Sequence, residues 1–377
     1  MNEHGIQLSV VVPVYNVAEY LAASLDSILR QPVDGVEVVV VDDGSTDGSA
    51  EVAASYAAAH DGIRLVTQEN SGVSIARNNA VPLCRGEFLT FVDPDDELPA
   101  DAWSTMLRTL RSTGSDFVVG SAERVEGDRR FITPLMRRNH ADERLGIRIG
   151  DAPLMLADVF VWNKIFRRSF WDEHRIWFPE RTRYQDQVAL TQAFLAARSF
   201  DVLTEVVYDW RVRADLSSAT QRRREVTNLR ERVSTKQMTL DMVRAHGDDR
   251  VTDVLLTEIL PIDMWEHFRA ATHAPGPDEY WTVLRDAVRS FWTPQLPFER
   301  TRVPAQQRMM GWLTGQDRFD DLVELVAHLD RGRGVHFLDV GGRLEADLPL
   351  RGAPGVPPEC WVAADHELAW ARQRVRA

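Results

Sequence analysis

The chain has little cysteine, little lysine and no long hydrophobic run. Its two cysteines, Cys84 and Cys360, are too few for a disulfide framework or a thiolate metal site, which indicates a reducing compartment. No stretch approaches the roughly 20 apolar residues that a membrane span needs, and the first residues lack the basic-then-apolar layout of a secretory signal. We therefore expect a cytoplasmic protein without a transmembrane segment.

Positive charge is also in deficit. The 377 residues include 44 basic and 57 acidic side chains, a formal net charge of −13. This balance argues against nucleic acid as a partner but leaves a local basic patch open. The apolar fraction of 44% and the charged fraction of 27% are ordinary for a globular protein, so disordered and collagen-like classes are excluded.

Over the first 120 residues, short β-branched or aromatic runs alternate with helical patterns. The runs have strand length and lack a polar alternation, which is typical of strands buried on both faces. The alternation predicts right-handed crossovers and an α/β fold with a mostly parallel sheet covered by helices on both faces. The predicted strands are 8–14, 36–41, 63–67 and 88–92, and the predicted helices are 17–29, 48–60, 73–84 and 100–111.

The pattern changes after residue 116. A strand near 117–119, a basic stretch and a helix over 185–198 are mixed with loops, and from residue 219 the apolar periodicity is helical for about 110 residues. The last segment is β-rich and too short to bury a core alone, so we interpret it as the start of a further domain or as a segment that packs elsewhere. The predicted parts are 1–218 (with halves of about 1–115 and 116–218), a helical linker domain over 219–330 and a β-rich tail over 331–377.

Acidic residues directly follow two of the predicted strands, at 42–43 and at 93–96. Ligands of open α/β sheets bind outside the carboxyl ends of the strands, so we expect these carboxylates to meet at one edge. Each cluster alone is as typical of a turn or a helix cap. Together they repel one another unless a cation is present, and an all-oxygen donor set suits Mg²⁺ or Mn²⁺.

Two common phosphate-binding loops are missing. There is no Gly-x-x-x-x-Gly-Lys-Ser/Thr sequence and no Gly-x-Gly-x-x-Gly after the first strand. The loops with which P-loop kinases and dinucleotide oxidoreductases bind phosphate are therefore missing, which argues against both classes. A nucleoside diphosphate would then be held by a metal ion and by positive side chains. Arg77 is a candidate for this task, although an exposed helix arginine is the commoner interpretation.

Four motifs, at 9–16, 41–47, 69–78 and 91–96, together resemble the signature set of the family 2 glycosyltransferases. Members have the GT-A fold, a Rossmann-like sheet, and transfer sugars from nucleotide-sugar donors with inversion. The resemblance implies that the nucleotide half is followed by an acceptor half in the catalytic domain. It implies nucleotide-sugar binding by Pro13, Tyr15, Asp43, Asn70, Arg77 and Asp93, and a Mn²⁺ or Mg²⁺ ion on Asp95.

A looser resemblance covers residues 162–168, 184–186 and the helical segment with its β tail. This layout is similar to the wall-teichoic-acid β-N-acetylglucosaminyltransferases, which implies UDP-N-acetylglucosamine as donor, a polyol-phosphate polymer as acceptor at the inner face of the membrane, and a homo-oligomer formed through the C-terminal region. Family members usually have glutamate where this chain has Gln185. The candidates for acceptor or diphosphate contacts are Trp162, Lys164, Gln185, Arg211 and Arg213.

An inverting transfer needs a general base for the acceptor and charge stabilisation for the departing diphosphate. The resemblance assigns the base to Asp186, which lies at the start of a predicted helix, where the macrodipole favours its ionised form. Asp95 with a divalent ion would stabilise the diphosphate. From its position alone, Asp186 is more typical of a helix cap or a first-turn acid than of a catalytic base.

Other functions remain open at this point. The acceptor could belong to exopolysaccharide or capsule assembly. A nucleotidyltransferase would share the α/β fold, but it is expected to have a glycine-rich basic loop after the first strand, and this chain does not. A catalytically silent nucleotide-sugar-binding module is the third alternative, against which the presence of Asp93, Asp95 and Asp186 counts.

Overall fold

The computed structural model describes residues 5–212, 224–332 and 334–375. The chain divides into two units, Met1–Ser218 and Ala219–Ala377. The described part of the β-rich tail, residues 334–375, falls within the second of these units. Within the described residues, no helix combines the length and the apolar character needed to cross a bilayer.

The first unit is built on a nine-stranded sheet. Its strand order is β3-β2-β1-β4-β8-β5-β9-β7, with β6 paired to β5. The first four strands are parallel to one another, and β8 runs antiparallel between β4 and β5. The strands are β1 (Leu8–Val14), β2 (Val36–Asp42), β3 (Ile63–Thr67), β4 (Phe88–Phe91), β5 (Phe117–Glu126), β6 (Arg129–Phe131), β7 (Arg144–Ile147), β8 (Lys164–Arg167) and β9 (Phe200–Arg211).

The helices of the first unit cover the sheet, and the strand and helix alternation predicted for the first 120 residues is confirmed. The predicted third helix ends earlier than expected, at Ala80, because Pro82 lies in a short 3₁₀ turn that continues it. The helices are α1 (Ala18–Leu29), α2 (Ser49–Ala59), α3 (Val73–Ala80), α4 (Ala102–Thr113), α5 (Pro134–Asn139), α6 (Arg168–Glu173) and α7 (Gln185–Ala196).

The central strands carry the core of the first unit. All seven residues of β1 are buried, as are the four residues of β4. Parallel strands covered on both faces have no solvated side, which explains why these segments are apolar without alternation. Because β1, β2, β3 and β4 point the same way, the loops that follow them emerge at one edge of the sheet.

The second unit is mainly helical. Pro261 cannot donate a backbone hydrogen bond, and immediately before it the helical path widens to a π-helical turn over Leu255–Ile259. Asp278 caps the next helix by accepting from Trp281 N at 2.9 Å. The helices are α8 (Val226–His246), α9 (Asp249–Val254), α10 (Leu260–Ala271), α11 (Glu279–Phe291), α12 (Ala305–Gly315), α13 (Phe319–Arg331) and α14 (Leu368–Arg372).

The tail is fastened to α12 by one buried arginine. A two-stranded antiparallel sheet, β10 (Phe337–Val340) and β11 (Arg343–Ala346), leads to the last turns of the chain. Arg308, on α12, donates to Glu367 Oε1 at 2.6 Å and to the carbonyl oxygens of Glu359 and Val362. The tail therefore does not need a core of its own.

Candidate active site

Side chains join the loops that follow β1 and β2. Asn16 Oδ1 accepts a hydrogen bond from Thr46 N at 2.8 Å, and Ser45 Oγ accepts one from Asn16 N at 3.2 Å. Asp47 accepts from Ala18 N at 3.0 Å, at the start of α1. The polar residues after two neighbouring strands thus form one bonded surface at the carboxyl edge of the sheet.

Asp43 holds the loop between β3 and α3. Its carboxylate accepts from Ser71 N and Gly72 N, both at 2.8 Å, and from Gln68 Nε2 at 2.7 Å. The Asp43 side chain is buried, and the contacts described here are with the loop between β3 and α3. The sequence interpretation gave Asp43 a nucleobase contact, and the structure adds a positioning task that it had not anticipated.

Gly44 allows these loops to come close together. Its φ of +76° lies in the left-handed region, and a Cβ at this position would be 3.0 Å from Asn70 N. A glycine is therefore required here for both its conformation and its lack of a side chain. The close approach brings the exposed Asn70 next to the turn that follows β2.

Arg77 joins three elements that are distant in sequence. From α3, its Nη2 donates to Asp93 Oδ1 at 2.7 Å and its Nη1 donates to Asp186 Oδ1 at 2.5 Å. The guanidinium carbon lies 5.1 Å from the centre of the Phe178 ring. Its side chain is only 2% exposed, against 31% for Asp93 and 21% for Asp186. Arg77 therefore lies buried behind the two carboxylates, and both carboxylates remain accessible to solvent.

Burial sets the protonation behaviour of these carboxylates. It raises the pKa of Asp93 to about 6; the Arg77 guanidinium opposes this rise, and the Asp95 and Asp186 carboxylates add to it. Burial also raises the pKa of Asp186, against the opposing charges of Arg77 and Lys164. A raised pKa makes Asp186 a stronger proton acceptor than an ordinary aspartate.

Tyr208, on β9, supports the acidic loop after β4. Its hydroxyl accepts from Asp93 N at 3.0 Å, and it also hydrogen bonds to the buried carboxylate of Asp96. The Trp162 ring stacks on Tyr208, with 4.1 Å between centroids. Trp162 is buried, so its place is below the loop. The structure therefore does not support our assignment of Trp162 to the acceptor.

Lys164 also requires a correction. We expected its ammonium to contact the diphosphate or the acceptor, but it is fully buried. Nζ donates to Asp158 Oδ1 at 2.8 Å, to Asn163 Oδ1 at 2.8 Å and to the carbonyl oxygen of Phe160 at 2.6 Å. An ammonium has three protons, and these protein acceptors use them. The charge of Lys164 opposes the rise in the pKa of Asp186, while its protons are donated to protein atoms.

The other expected site residues differ in their exposure. Pro13 is buried in β1, whereas Tyr15, just after the strand, is 48% exposed and available for a ring contact. Gln185 is the first residue of α7, next to Asp186. Arg211 donates to Glu97 Oε1 at 2.5 Å. Our remaining acceptor candidate, Arg213, lies outside the described residues.

The carboxylates were also expected to hold a metal ion. In the part of the chain that the structure describes, no group of three or more His, Cys, Asp or Glu side chains is arranged to hold one. The donor chemistry nevertheless fits a cation that shares its coordination with a ligand: Asp95 is partly exposed, and its negative charge helps to raise the pKa of both Asp93 and Asp96. A positive ion at this loop would relieve that repulsion.

Three supporting residues were not found from the sequence. Tyr208 lies in the middle of β9, and Phe178 lies in a loop beside Pro179, so neither position carries a local signal of its role. Asn78 bonds to both backbone groups of Phe178, at 2.8 and 3.0 Å. It lies in the 69–78 motif, next to Arg77, which is the one signal that could have indicated it.

Comparison with known proteins agrees with this geometry. The family model for "Glycosyl transferase family 2" matches residues 9–179. EpsH of Bacillus subtilis (strain 168), which is named as a glycosyltransferase, is 31% identical over 218 residues, covering 57% of this chain and 63% of the relative. A poly(ribitol-phosphate) beta-glucosyltransferase of Bacillus spizizenii is 26% identical over 215 residues, covering 56% of this chain and 33% of that protein. The chain thus matches less than two thirds of the length of these relatives.

Among solved structures, residues 1–349 of S. aureus TarS in complex with UDP-GlcNAc superpose with a TM-score of 0.74 at 20% identity. The superposition covers 95% of this chain and 99% of that one. At this identity the likeness concerns the fold, and it confirms the GT-A-like sheet followed by a helical segment and a small antiparallel sheet.

Proposed function

We propose that the chain is an inverting family 2 glycosyltransferase that uses a UDP-sugar, in line with the match of residues 9–179 to the model of that family. The observation that carries this proposal is the Arg77 bridge. It brings Asp93, from the loop after β4, and Asp186, from the start of α7, onto the two sides of one buried guanidinium. In this proposal, one guanidinium thereby holds both a donor-side carboxylate and an acceptor-side base.

N-acetylglucosamine is our first choice for the transferred sugar. The TarS structure that shares this fold was solved with UDP-GlcNAc, and the exposed Tyr15 ring and Asn70 lie on the loops after β1 and β3, where a nucleoside would be bound. A tyrosine ring offers a flat face on which a uracil can stack. We assign Asp93 to the ribose side of the nucleotide.

Asp186 is the general base in this proposal. Its Oδ1 is fastened to Arg77, and we assign Oδ2 to the acceptor hydroxyl. As that oxygen attacks the anomeric carbon, its proton passes to Asp186, and the bond from the anomeric carbon to the diphosphate oxygen breaks with both electrons leaving on the diphosphate. Attack on the face opposite the leaving group inverts the anomeric centre.

Asp95 would hold a divalent ion, Mn²⁺ or Mg²⁺. When bound, the ion supplies charge neutralisation for the diphosphate. Hydrogen bonds hold the loop that carries Asp95 in place: the Tyr208 hydroxyl accepts from Asp93 N at 3.0 Å, and Arg211 N donates to Asp96 Oδ1 at 2.7 Å. The loop geometry is thus built from protein contacts alone.

A polyol-phosphate polymer is our proposed acceptor. One relative is named for glycosylating poly(ribitol-phosphate), and the likeness in fold to TarS extends over nearly the whole chain. Arg211 lies on β9 beside the acidic loop and could recognise an acceptor phosphate if it exchanged its contact with Glu97.

UDP release from a panel of UDP-sugars, with poly(ribitol phosphate) as acceptor and Mn²⁺ present, tests the proposal. We expect turnover with one sugar, its loss in EDTA, and a rise in melting temperature with the same donor, because a ligand that binds only the folded state stabilises it. Binding without turnover on any acceptor would favour the silent module. If the chain showed no donor binding and no turnover, the proposal would be rejected.

A further inference from the structure

The acidic loop after β4 is a tight turn that its own sequence favours. Asp96 N donates to Asp93 O at 3.1 Å, which closes a four-residue turn with Pro94 in its second position and Asp95 in its third. Proline is favoured at the second position because its fixed φ matches the conformation needed there. Asp95, our candidate for holding the divalent ion, is therefore carried by a turn whose two ends are Asp93 and Asp96.

One hydroxyl group binds both ends of this turn. The Tyr208 hydroxyl accepts from Asp93 N at 3.0 Å, and it also hydrogen bonds to the Asp96 carboxylate. A tyrosine hydroxyl has a single proton, so the oxygen that accepts from the Asp93 amide can donate that proton to Asp96. Tyr208 is fully buried, so its hydroxyl has no direct access to a sugar donor or a metal ion. Any effect of Tyr208 on Asp95 therefore passes through the residues on either side of Asp95.

Aromatic stacking fixes the ring that carries this hydroxyl. The centroids of the Tyr208 and Trp162 rings are 4.1 Å apart, and the two ring planes are inclined by 15°. The Phe160 ring stacks on Trp162 in turn, with 4.7 Å between centroids. Close-packed stacked rings leave little room for movement, so the hydroxyl is presented to the turn at one place. Trp162 thus contributes to the site by holding Tyr208.

The turn is held from both halves of the first unit. Arg77, on α3, binds the side chain of Asp93, whereas Tyr208, on β9, binds its backbone. Beside Tyr208, Asp209 N donates to Glu97 O at 3.0 Å, which attaches β9 to the residue that follows the turn. α3 lies in the predicted nucleotide half and β9 in the predicted acceptor half. A strand of the acceptor half therefore places the turn on the donor side.

We infer that Tyr208 is a positioning residue through which the acceptor half, residues 116–218, sets the affinity of the donor-side turn for a divalent ion and UDP. The inference rests on the proposed function, because it takes Asp95 as the residue that holds the ion. Removal of the hydroxyl leaves the bond between Arg77 and Asp186 in place. Donor affinity and the rate of the chemical step should therefore respond differently to the loss of this group.

Tyr208→Phe tests the inference in the full chain, because it removes one oxygen atom and keeps the stacked ring. Tyr280→Phe is the matched control: Tyr280 is also buried and its hydroxyl hydrogen bonds to His267 Nδ1 at 2.6 Å, but it lies in the second unit. We expect Tyr208→Phe to weaken UDP binding about tenfold at a fixed Mn²⁺ concentration, as the loss of one buried hydrogen bond would. Tyr280→Phe should leave it unchanged. Calorimetric titration of UDP measures both, and electron paramagnetic resonance measures Mn²⁺ binding in the presence of UDP.

Steady-state kinetics give a readout that a general loss of structure would not reproduce. With the UDP-sugar that supports turnover, Tyr208→Phe should raise the donor KM about tenfold and change kcat by less than about threefold. A loss confined to kcat would contradict a positioning role on the donor side and overturn the inference.

Hydrogen exchange of the ligand-free protein separates this inference from the proposed function. The Asp93 amide donates to the Tyr208 hydroxyl, so exchange over residues 92–97 should be faster in Tyr208→Phe than in the parent chain and in Tyr280→Phe. Trp162→Phe, which reduces the stacked area, should have a smaller effect in the same direction. It replaces Tyr208→Phe if melting temperatures show that the latter is unfolded.

Two results would overturn the inference while the proposed function stands: unchanged exchange over residues 92–97, or unchanged UDP affinity despite faster exchange. Faster exchange together with a parent chain that binds no UDP in the presence of Mn²⁺ would reject the proposed donor, and the effect on donor affinity with it.

Discussion

Arg77 illustrates how one residue can organise a site without facing it. Sequence position alone favours an exposed helix arginine, and the family resemblance favours a ligand contact. In the structure the guanidinium is 2% exposed and binds two carboxylates, one of them 109 positions away. Its charge lowers the pKa of both partners against the effect of burial. The arginine thus keeps two nearby acids ionised that would otherwise repel each other.

Replacing Arg77 by glutamine should destabilise the first unit by about 3–5 kcal/mol, as is typical when one partner of a buried ion pair is removed. Without the guanidinium, the pKa of Asp186 rises further above its unfolded value. The folded variant then binds a proton that the unfolded chain releases, so its stability falls as pH rises and the deficit is largest at pH 8. Urea denaturation at pH 5 and pH 8 measures both effects.

Arg64→Gln is the control for this change, because Arg64 is exposed and, among the described residues, its side chain donates to one backbone carbonyl, that of Leu83. A deficit for Arg77→Gln that is the same at both pH values would contradict the electrostatic account and indicate a packing effect.

Asp186→Asn should lower the transfer rate by about 10²–10⁴-fold, the usual contribution of a general base. UDP affinity should change little, because an asparagine oxygen can still accept from Arg77. Initial rates and calorimetric titration with UDP separate the two. Asp172→Asn, at a carboxylate that is 53% exposed, is the matched control. A rate within tenfold of the parent would remove Asp186 from the role of base.

At the scale of elements, loops are held in place by a few side chains that form two or more hydrogen bonds to backbone groups. Asp43 binds two successive backbone amides of the loop before α3, and Asn78 binds both backbone groups of Phe178. Each contact crosses from one element to another. The loops at the carboxyl edge of the sheet are therefore positioned before any ligand binds, which reduces the ordering that a ligand must provide.

The tail gives a second case at this scale. Glu367→Gln should destabilise the second unit by about 3–5 kcal/mol, because Arg308 is buried and would lose its only carboxylate partner among the described residues. Thermal and urea unfolding measure the loss. In contrast, Arg302→Gln breaks two contacts at a side chain that is 46% exposed, and it should cost at most about 1 kcal/mol. Equal losses for the two variants would show that the tail is not fastened by this pair.

At the scale of the whole molecule, the two units have separate cores. Leu313 is fully buried in the second unit and Leu25 in the first. Each Leu→Ala change should cost about 2–5 kcal/mol. Because the proposed donor site lies in the first unit, Leu313→Ala should lower stability without changing UDP affinity by more than about twofold. Titration of UDP into both variants below their melting temperatures checks this, and a large loss of affinity in Leu313→Ala would show that the units are coupled.

Much of the first unit could be predicted because its signals are local. Strand length, apolar runs and helical periodicity depend on neighbouring residues, and parallel strands necessarily send their following loops to one edge. The acidic groups at 42–43 and 93–96 were placed at that edge on this basis. The identity of their partners was not predictable, since it depends on residues brought together from distant segments.

The amino-acid sequence by itself determined the α/β alternation, the helical region after residue 219 and the carboxyl-edge location of the acidic loops. Only the tertiary structure decided that Lys164 is buried, that Trp162 and Tyr208 lie beneath the loop, that Arg77 bridges two acids and that the tail packs on α12. The physical reason is that burial and ion pairing depend on which surfaces meet in three dimensions. A charged side chain has the same local sequence signal whether it faces water or the interior.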